Sequence, residues 1–291
     1  MKELFDELKK LKAKRIFIQY PEGLKTKIQE ISSDLEKNGY QTVLCCEPTF
    51  GACDVRDFEA KRLKCDVVLH IAHTDFGVKS ELPVIYLDYI FDVDPIPIIE
   101  KEYEKLSSYK NICVFTSLQY VESMKKVVDY LKKRSKQVFI GKTQKYDGQV
   151  LGCRIDAALK FAGKVDCFLY VGTGRFHPMG VCLATEKPVY SLDLEKQKII
   201  DFQKEKMIYL KKKAWRDQEL KDANVVGIAV SWKQGQNRID EAFSLKEKLE
   251  KQGKKVYILA FDTASKSKTL GMKFDILINM LCPRMDDEDL L

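Results

Sequence analysis

Short, wholly apolar runs alternate along the chain with longer stretches in which apolar residues recur every three or four positions. Arg15-Ile-Phe-Ile-Gln-Tyr20, Asn111-Ile-Cys-Val-Phe-Thr116 and Asn224-Val-Val-Gly-Ile-Ala-Val230 show no polar alternation, the pattern of strands buried on both faces. Each run passes into a stretch of helical period, predicted at 22–38, 121–136 and 237–252. The first and last of these stop at Gly39 and Gly253, where a left-handed cap would end a helix. Second strands are predicted at 41–47, 137–141 and 255–261. Third strands open on an aspartate each time: Asp66-Val-Val-Leu, Asp166-Cys-Phe-Leu and Asp275-Ile-Leu-Ile. The first two units add a fourth strand, Pro83-Val-Ile-Tyr-Leu-Asp88 and Pro188-Val-Tyr-Ser-Leu-Asp193, which the third does not supply before the sequence stops.

A pattern written three times makes internal repetition the organising fact. Strands alternating with helices imply parallel sheets, because parallel neighbours need crossover connections. The expectation is an α/β protein of three similar domains, 1–105, 106–205 and 206–291, each a mostly parallel sheet flanked by helices, around a central cleft. The joints are placed near 94–109, which holds Pro95 and Pro97, and in a charged helical stretch at 195–222. Ligands of such sheets bind beyond the carboxyl ends of the strands.

Charge changes this picture little. The net +7 comes mostly from lysines scattered over helical faces. The denser run Lys211 to Lys213 with Trp215 and Arg216 has no nucleic-acid motif beside it, so it reads as a solvated face and no nucleic-acid partner is expected. Residues 1–10 read as an amphipathic helix without the apolar centre of a signal peptide, and no stretch approaches the length of a membrane span. A cytoplasmic location is expected, and nine cysteines there read as core thiols, a metal site or a catalytic thiol instead of a disulfide framework. With no CxxC pair, a structural zinc site has no support.

The cysteines divide by context. Cys45, Cys113 and Cys167 lie in apolar strand runs and Cys65 just before one; with Cys46 and Cys182 they read as core or incidental packing. Cys53, Cys153 and Cys282 lie instead in post-strand loops flanked by glycine or proline, one per unit: Gly51-Ala-Cys-Asp54, Leu151-Gly-Cys-Arg154 and Leu281-Cys-Pro-Arg284. Three thiolates converging on a cleft would suit a [4Fe–4S] cluster with one iron open to a ligand. Three unrelated loop cysteines are the alternative on spacing alone. The Gly-x-Gly of Gly172 and Gly174 reads either as a nucleotide cradle or as a tight turn.

Seven segments together are similar to one family. They are Gln19-Tyr-Pro-Glu-Gly-Leu24, Thr49-Phe-Gly-Ala-Cys-Asp54, His70-Ile-Ala-His-Thr74, Leu151-Gly-Cys-Arg154, Val171-Gly-Thr-Gly-Arg-Phe-His-Pro178, Ser231-Trp-Lys-Gln-Gly-Gln236 and Cys282-Pro-Arg284. In this order, over essentially the whole chain, they resemble the archaeal radical-forming enzymes of diphthamide biosynthesis. The resemblance implies a homodimer and a [4Fe–4S] cluster on Cys53, Cys153 and Cys282. It also implies S-adenosylmethionine as co-substrate and translation elongation factor 2 as the modified protein, with an electron donor that the sequence does not name. The reaction it implies is transfer of a 3-amino-3-carboxypropyl group to C2 of a histidine. Pro21, Glu22, Gly23, His73, Gly172, Gly174, His177, Ser231 and Gln236 become the candidate substrate-positioning residues. Relatives continue past the third cysteine, whereas this sequence runs into Asp286-Asp-Glu-Asp-Leu-Leu291.

Two other readings stand beside this one. A quinolinate-synthase-like hydro-lyase would also use one cysteine per unit, with the open iron as Lewis acid. A nucleotide- or RNA-binding scaffold would leave the cysteines merely structural.

Overall fold

The computed structural model describes residues 2–143, 145–283 and 285. Arg284 and the acidic run at 286–291 lie outside the described residues. Among those described, twelve strands form three sheets. The first holds β1 (Arg15–Gln19), β2 (Gln41–Leu44), β3 (Val67–Ile71) and β4 (Val84–Leu87). The second holds β5 (Asn111–Thr116), β6 (Gln137–Phe139), β7 (Cys167–Gly172), β8 (Val189–Asp193) and β9 (Lys198–Asp201). The third holds β10 (Val225–Ser231), β11 (Lys255–Phe261) and β12 (Ile276–Asn279).

Their strand orders, β2-β1-β3-β4, β6-β5-β7-β8-β9 and β11-β10-β12, are one topology written three times. The opening strand lies centrally, its successor pairs on one side, and the third strand returns on the other. Every pairing is parallel except β8 with β9. Each sheet therefore has a switch point between its first and third strands, where a crevice opens beyond their carboxyl ends. By contact the chain divides into two compact units, Met1–Leu87 with Trp215–Leu291, and Asp88–Ala214. The first and third sheets share one unit and the second sheet occupies the other.

The apolar runs become strands because both faces are covered. Ile16, Phe17 and Ile18 of β1 and Val67 to Ile71 of β3 are all buried, and each large apolar side chain so placed stabilises the fold by about 1.5–3 kcal/mol. The second sheet carries a cluster on each face, one around Val114, Leu131 and Leu169, the other around Phe115, Phe168 and Phe202. Helices Lys25–Lys37, Val121–Lys133 and Ile239–Glu250 follow the opening strands as predicted, and Gly39 and Gly253 close two of them at φ 87° and 85°.

The repeated aspartate has one role in all three sheets. Asp66 accepts the backbone N–H groups of Lys14 and Arg15 at 2.7 and 2.8 Å, Asp166 those of Lys110 and Asn111 at 2.9 and 2.7 Å, and Asp275 those of Asn224 and Val225, both at 2.8 Å. Each carboxylate ties the start of the third strand to the start of the first. Those bonds to the charged form hold all three carboxyls below the ordinary range.

The stretch 195–222, expected to be helical throughout, is corrected. Asp193 accepts the N–H groups of Glu195 and Lys196 at 3.1 and 2.9 Å, the chain turns, and Lys198–Asp201 pairs antiparallel with β8, burying Ile199. The helix begins only at Gln203 and runs to Asp222, with Lys211 to Lys213, Trp215 and Arg216 exposed along it. Among the described residues no helix is long and apolar enough to cross a membrane.

Candidate functional site

In the unit built from the first and third sheets, the carboxyl ends of the strands carry a buried polar network. Gln19, the last residue of β1, is wholly buried. Its side-chain Nε2 donates to the Asp54 carbonyl at 2.5 Å, and its Oε1 accepts the Arg56 N–H at 3.2 Å. Gln19 thereby holds the backbone on the far side of Cys53. Its Oε1 also meets His70 Nδ1 at 3.3 Å, and His70 Nε2 meets His73 Nδ1 at 3.1 Å.

The tautomers follow from that order. An amide oxygen only accepts, so His70 donates from Nδ1; its Nε2 then accepts, and His73 donates from Nδ1. Burial, and after it the neighbouring His73, pushes the His70 pKa well below its ordinary 6.5, so the ring is neutral.

Cys53 lies after β2 in a turn closed by the Asp54 N–H to Gly51 O bond at 3.0 Å. From the third sheet, the segment after β10 reaches this turn. Ser231 accepts the Lys233 N–H at 3.1 Å, and Gln236 N–H closes onto Lys233 O at 2.9 Å. Gly235 N–H donates to Cys53 O at 3.0 Å, and a Cβ at 235 would stand 2.5–2.6 Å from Cys53 backbone and Cβ atoms, so only glycine fits here. Gln236 Nε2 then lies 3.3 Å from Cys53 Sγ.

Beneath the turn is a buried ion cluster. Lys233 Nζ pairs with Asp54 at 2.6 Å, both side chains 3% exposed, and lies 5.0 Å from the centre of the Phe50 ring. Arg56 pairs with Asp262 at 2.7 Å and Glu59 at 3.0 Å. Burial pushes the Asp54 carboxyl up against the pull of Lys233 and Arg56. Burial opposes the Arg56 charge, but its hydrogen bond to Asp262 and the surrounding carboxylates outweigh that and raise its pKa. Desolvation cancels much of what such pairs gain, so their clearer contribution is to hold the Cys53 turn against the third sheet.

Cys282 follows β12. Its carbonyl accepts Asn279 Nδ2 at 3.1 Å and the Met285 N–H at 2.9 Å. With Gln236, Lys233, Phe50, Asp262 and Thr263 it lines a small open cleft. Gln236 and Cys282 therefore share one cleft, and Cys53 Sγ lies 3.3 Å from the Gln236 amide. Ser231 builds the turn that carries Gln236 and uses its hydroxyl for that purpose. Glu22 is exposed and pairs with Lys25, in a short helical turn that Pro21 opens and that includes Gly23.

The other unit holds Cys153, Gly172, Gly174 and His177. Cys153 is exposed in a turn whose ends, Leu151 and Arg154, exchange backbone hydrogen bonds of 3.2 and 2.9 Å. Val150 N–H donates to Thr116 O at 2.8 Å, hanging that turn on the carboxyl end of β5. Gly172 sits where a Cβ would lie 2.7 Å from the Tyr170 hydroxyl, so packing explains it without a nucleotide. The His177 ring stacks on Tyr170 at 5.8 Å.

The three loop cysteines do not hold equivalent places. Cys53 and Cys153 follow the second strand of their sheets, whereas Cys282 follows the third. Burial raises the pKa of Cys45 and Cys65 and pushes Cys113 and Cys167 to about 12 and Cys182 to about 11, which keeps those thiols protonated and inert. Cys46 is exposed and so is not a core residue. Among the described residues no three His, Cys, Asp or Glu side chains gather as a site for a single metal ion.

Sequence reasoning passed over Gln19, Asp54, Arg56, Lys233 and Asp262. A sequence signal existed for three of them: Gln19 opens the first of the seven quoted segments, and Asp54 and Lys233 are charged residues inside the segments that carry Cys53 and Gln236.

Residues 20–289 match the model of the diphthamide synthesis protein family. The 2-(3-amino-3-carboxypropyl)histidine synthase of Pyrococcus horikoshii is 32% identical over 99% of this chain and 84% of its own length. Subunit 1 of the same-named synthase from Candida glabrata is 25% identical over 96% of this chain and 67% of its own. The crystal structure of Dph2 from Pyrococcus horikoshii with a 4Fe–4S cluster superposes with a TM-score of 0.89 at 29% identity, covering 98% of this chain and 84% of that one.

Proposed function

Because the chain belongs to the diphthamide synthesis protein family, we propose that it transfers a 3-amino-3-carboxypropyl group from S-adenosylmethionine to C2 of a histidine of translation elongation factor 2, the first step of diphthamide biosynthesis. A [4Fe–4S] cluster on Cys53, Cys153 and Cys282 is part of the reading, as are a homodimer and an outside electron donor. The observation that carries it is that Gln236, which lines one cleft with Cys282, also lies 3.3 Å from Cys53 Sγ, so loops of two different sheets that bear a candidate cysteine converge on one residue.

The donor set fits the group. All three cysteines are unbridged and none is buried, and soft thiolates are the ligands such a cluster takes. A cluster spreads its thiolates over separate irons, so it does not need the tight gathering of side chains that a single ion does. When bound, it would supply one electron to the sulfonium of S-adenosylmethionine.

The chain's own residues then do the positioning. Gln19, Gly235 and the Asp54–Lys233 pair hold the Cys53 turn; Asn279 holds the Cys282 turn; and the Thr116–Val150 bond holds the Cys153 turn. On this reading a cluster held by cysteines of three separate sheets, instead of one local loop, would receive the sulfonium in a different pose, and the carbon–sulfur bond presented to the electron would be the one that opens. On this reading it is the bond on the aminocarboxypropyl side.

The test is an anaerobic reaction of the reconstituted protein with dithionite, S-adenosylmethionine and elongation factor 2. The expected products are 5′-methylthioadenosine, by chromatography, and an elongation factor heavier by one aminocarboxypropyl group, by mass spectrometry. With 5′-deoxyadenosine as the main product, or an unmodified factor, the proposal fails.

A further inference from the structure

We propose that Gln236 acts on the cluster through sulfur, donating an N–H to Cys53 Sγ and thereby holding the reduction potential up, instead of binding substrate. The inference rests on the reading that Cys53 is a cluster ligand. Its own ground is the 3.3 Å separation of Gln236 Nε2 and Cys53 Sγ, well within reach for a sulfur acceptor.

A ligating cysteine is a thiolate and can only accept, so the amide must turn its NH₂ end to it; the carbonyl end would face like charge. A donor on the sulfur draws electron density from it. The reduced cluster, with one more electron, gains more from that donor than the oxidised one does, and the potential rises. Hydrogen bonds to sulfur are among the chief means by which a protein sets this quantity.

The contact is built, not incidental. Gln236 ends a turn that is closed internally by its own N–H to Lys233 O at 2.9 Å. The same turn is fastened to the Cys53 segment twice more, by Gly235 N–H to Cys53 O at 3.0 Å and by Lys233 to Asp54 at 2.6 Å. Gly235 lets the two backbones approach so closely that any side chain there would collide with Cys53. Two of these fastenings are buried or backbone contacts, which fixes the distance from amide to sulfur far better than a free glutamine side chain would. Gln234, in the same turn, points elsewhere, with its amide 3.5 Å from Asp57.

Wild type, Gln236→Leu, Gln236→Glu and Gln234→Leu are reconstituted anaerobically, matched for iron per chain, and titrated with dithionite and mediators while the reduced cluster is followed by electron paramagnetic resonance. The expected result is a more negative midpoint for Gln236→Leu and a still more negative one for Gln236→Glu, whose carboxylate brings charge to the sulfur. Gln234→Leu should titrate with wild type. Equal midpoints for wild type and Gln236→Leu would overturn the inference and leave the cluster reading intact. Loss of iron from both Gln236 variants, still folded by circular dichroism, would also overturn it, by making Gln236 necessary for holding the cluster. A wild-type protein that assembles no cluster would overturn the cluster reading itself, and this inference with it.

Discussion

The two ends of the parallel strands follow opposite rules. At the amino ends the three sheets are copies: Asp66, Asp166 and Asp275 each accept two backbone N–H groups from the start of the neighbouring opening strand. At the carboxyl ends a single 3-10 turn still follows each opening strand, but the side chains and their contacts do not repeat. Gln19 ends β1 and anchors a cysteine turn and a histidine pair, Thr116 ends β5 and takes up the Cys153 segment, and Ser231 ends β10 and shapes the turn that brings Gln236 to sulfur. Repetition marks the work any such sheet must do, and divergence marks where this protein does its own.

The largest effect should separate loop thiols from strand thiols. Alanine at Cys53, Cys153 or Cys282 is expected to abolish iron binding, because a methyl group cannot replace a thiolate ligand. Cys113→Ala and Cys167→Ala, at buried strand positions, should bind iron as wild type does. Equal loss in folded Cys113→Ala protein would break the comparison, and iron content with visible absorption decides it.

Next in size is the anchoring of the carboxyl-end loops. Lys233→Met leaves Asp54 buried with only the longer 3.9 Å pairing to Arg56 and should cost about 3 kcal/mol of stability. Denaturant unfolding reads it directly. A loss close to that of an exposed lysine would show that the network does not fasten the Cys53 turn.

The smallest effects are in pH dependence, and here the two ends should part company. The folded pKa of His70 lies below 6.5, so in the acid range below 6.5 the unfolded chain binds the proton more readily. The stability from keeping His70 neutral is present in full above 6.5 and is lost as pH falls below it. The folded pKa of Asp166 lies below its ordinary 3.8; its contribution is present above 3.8 and lost only as pH falls through the lower folded value. In melting curves against pH, His70→Asn should flatten the slope just below 6.5 and Asp166→Asn only the slope below 3.8. Identical profiles for the two variants would erase the distinction.

Most of the fold was legible in the residues. Wholly apolar runs, glycine stops and the recurring aspartate identify the opening and third strands and their helices, because burial on both faces and left-handed caps are local demands that show in local composition. The hairpin of β9 was not legible. Lys198-Ile-Ile-Asp201 lies within a charged stretch, and only pairing with β8 makes it a strand.

For the candidate site, loop context by itself singled out Cys53, Cys153 and Cys282, since a thiol beside glycine or proline after a strand cannot be packed as Cys113 and Cys167 are. Tertiary structure alone decided what surrounds them. Asp54 and Lys233 are 179 residues apart and pair at 2.6 Å; Gln19 reaches Asp54 across a shorter gap of 35; Gln236 meets the Cys53 sulfur. Ser231 and Gln236, alike as candidates in sequence, part into a turn-former and a residue whose side-chain amide lies on the Cys53 sulfur. The reason is physical. Burial patterns are written along the chain because neighbours share an element, whereas a hydrogen bond between two loops depends on the sheets that bring their ends together.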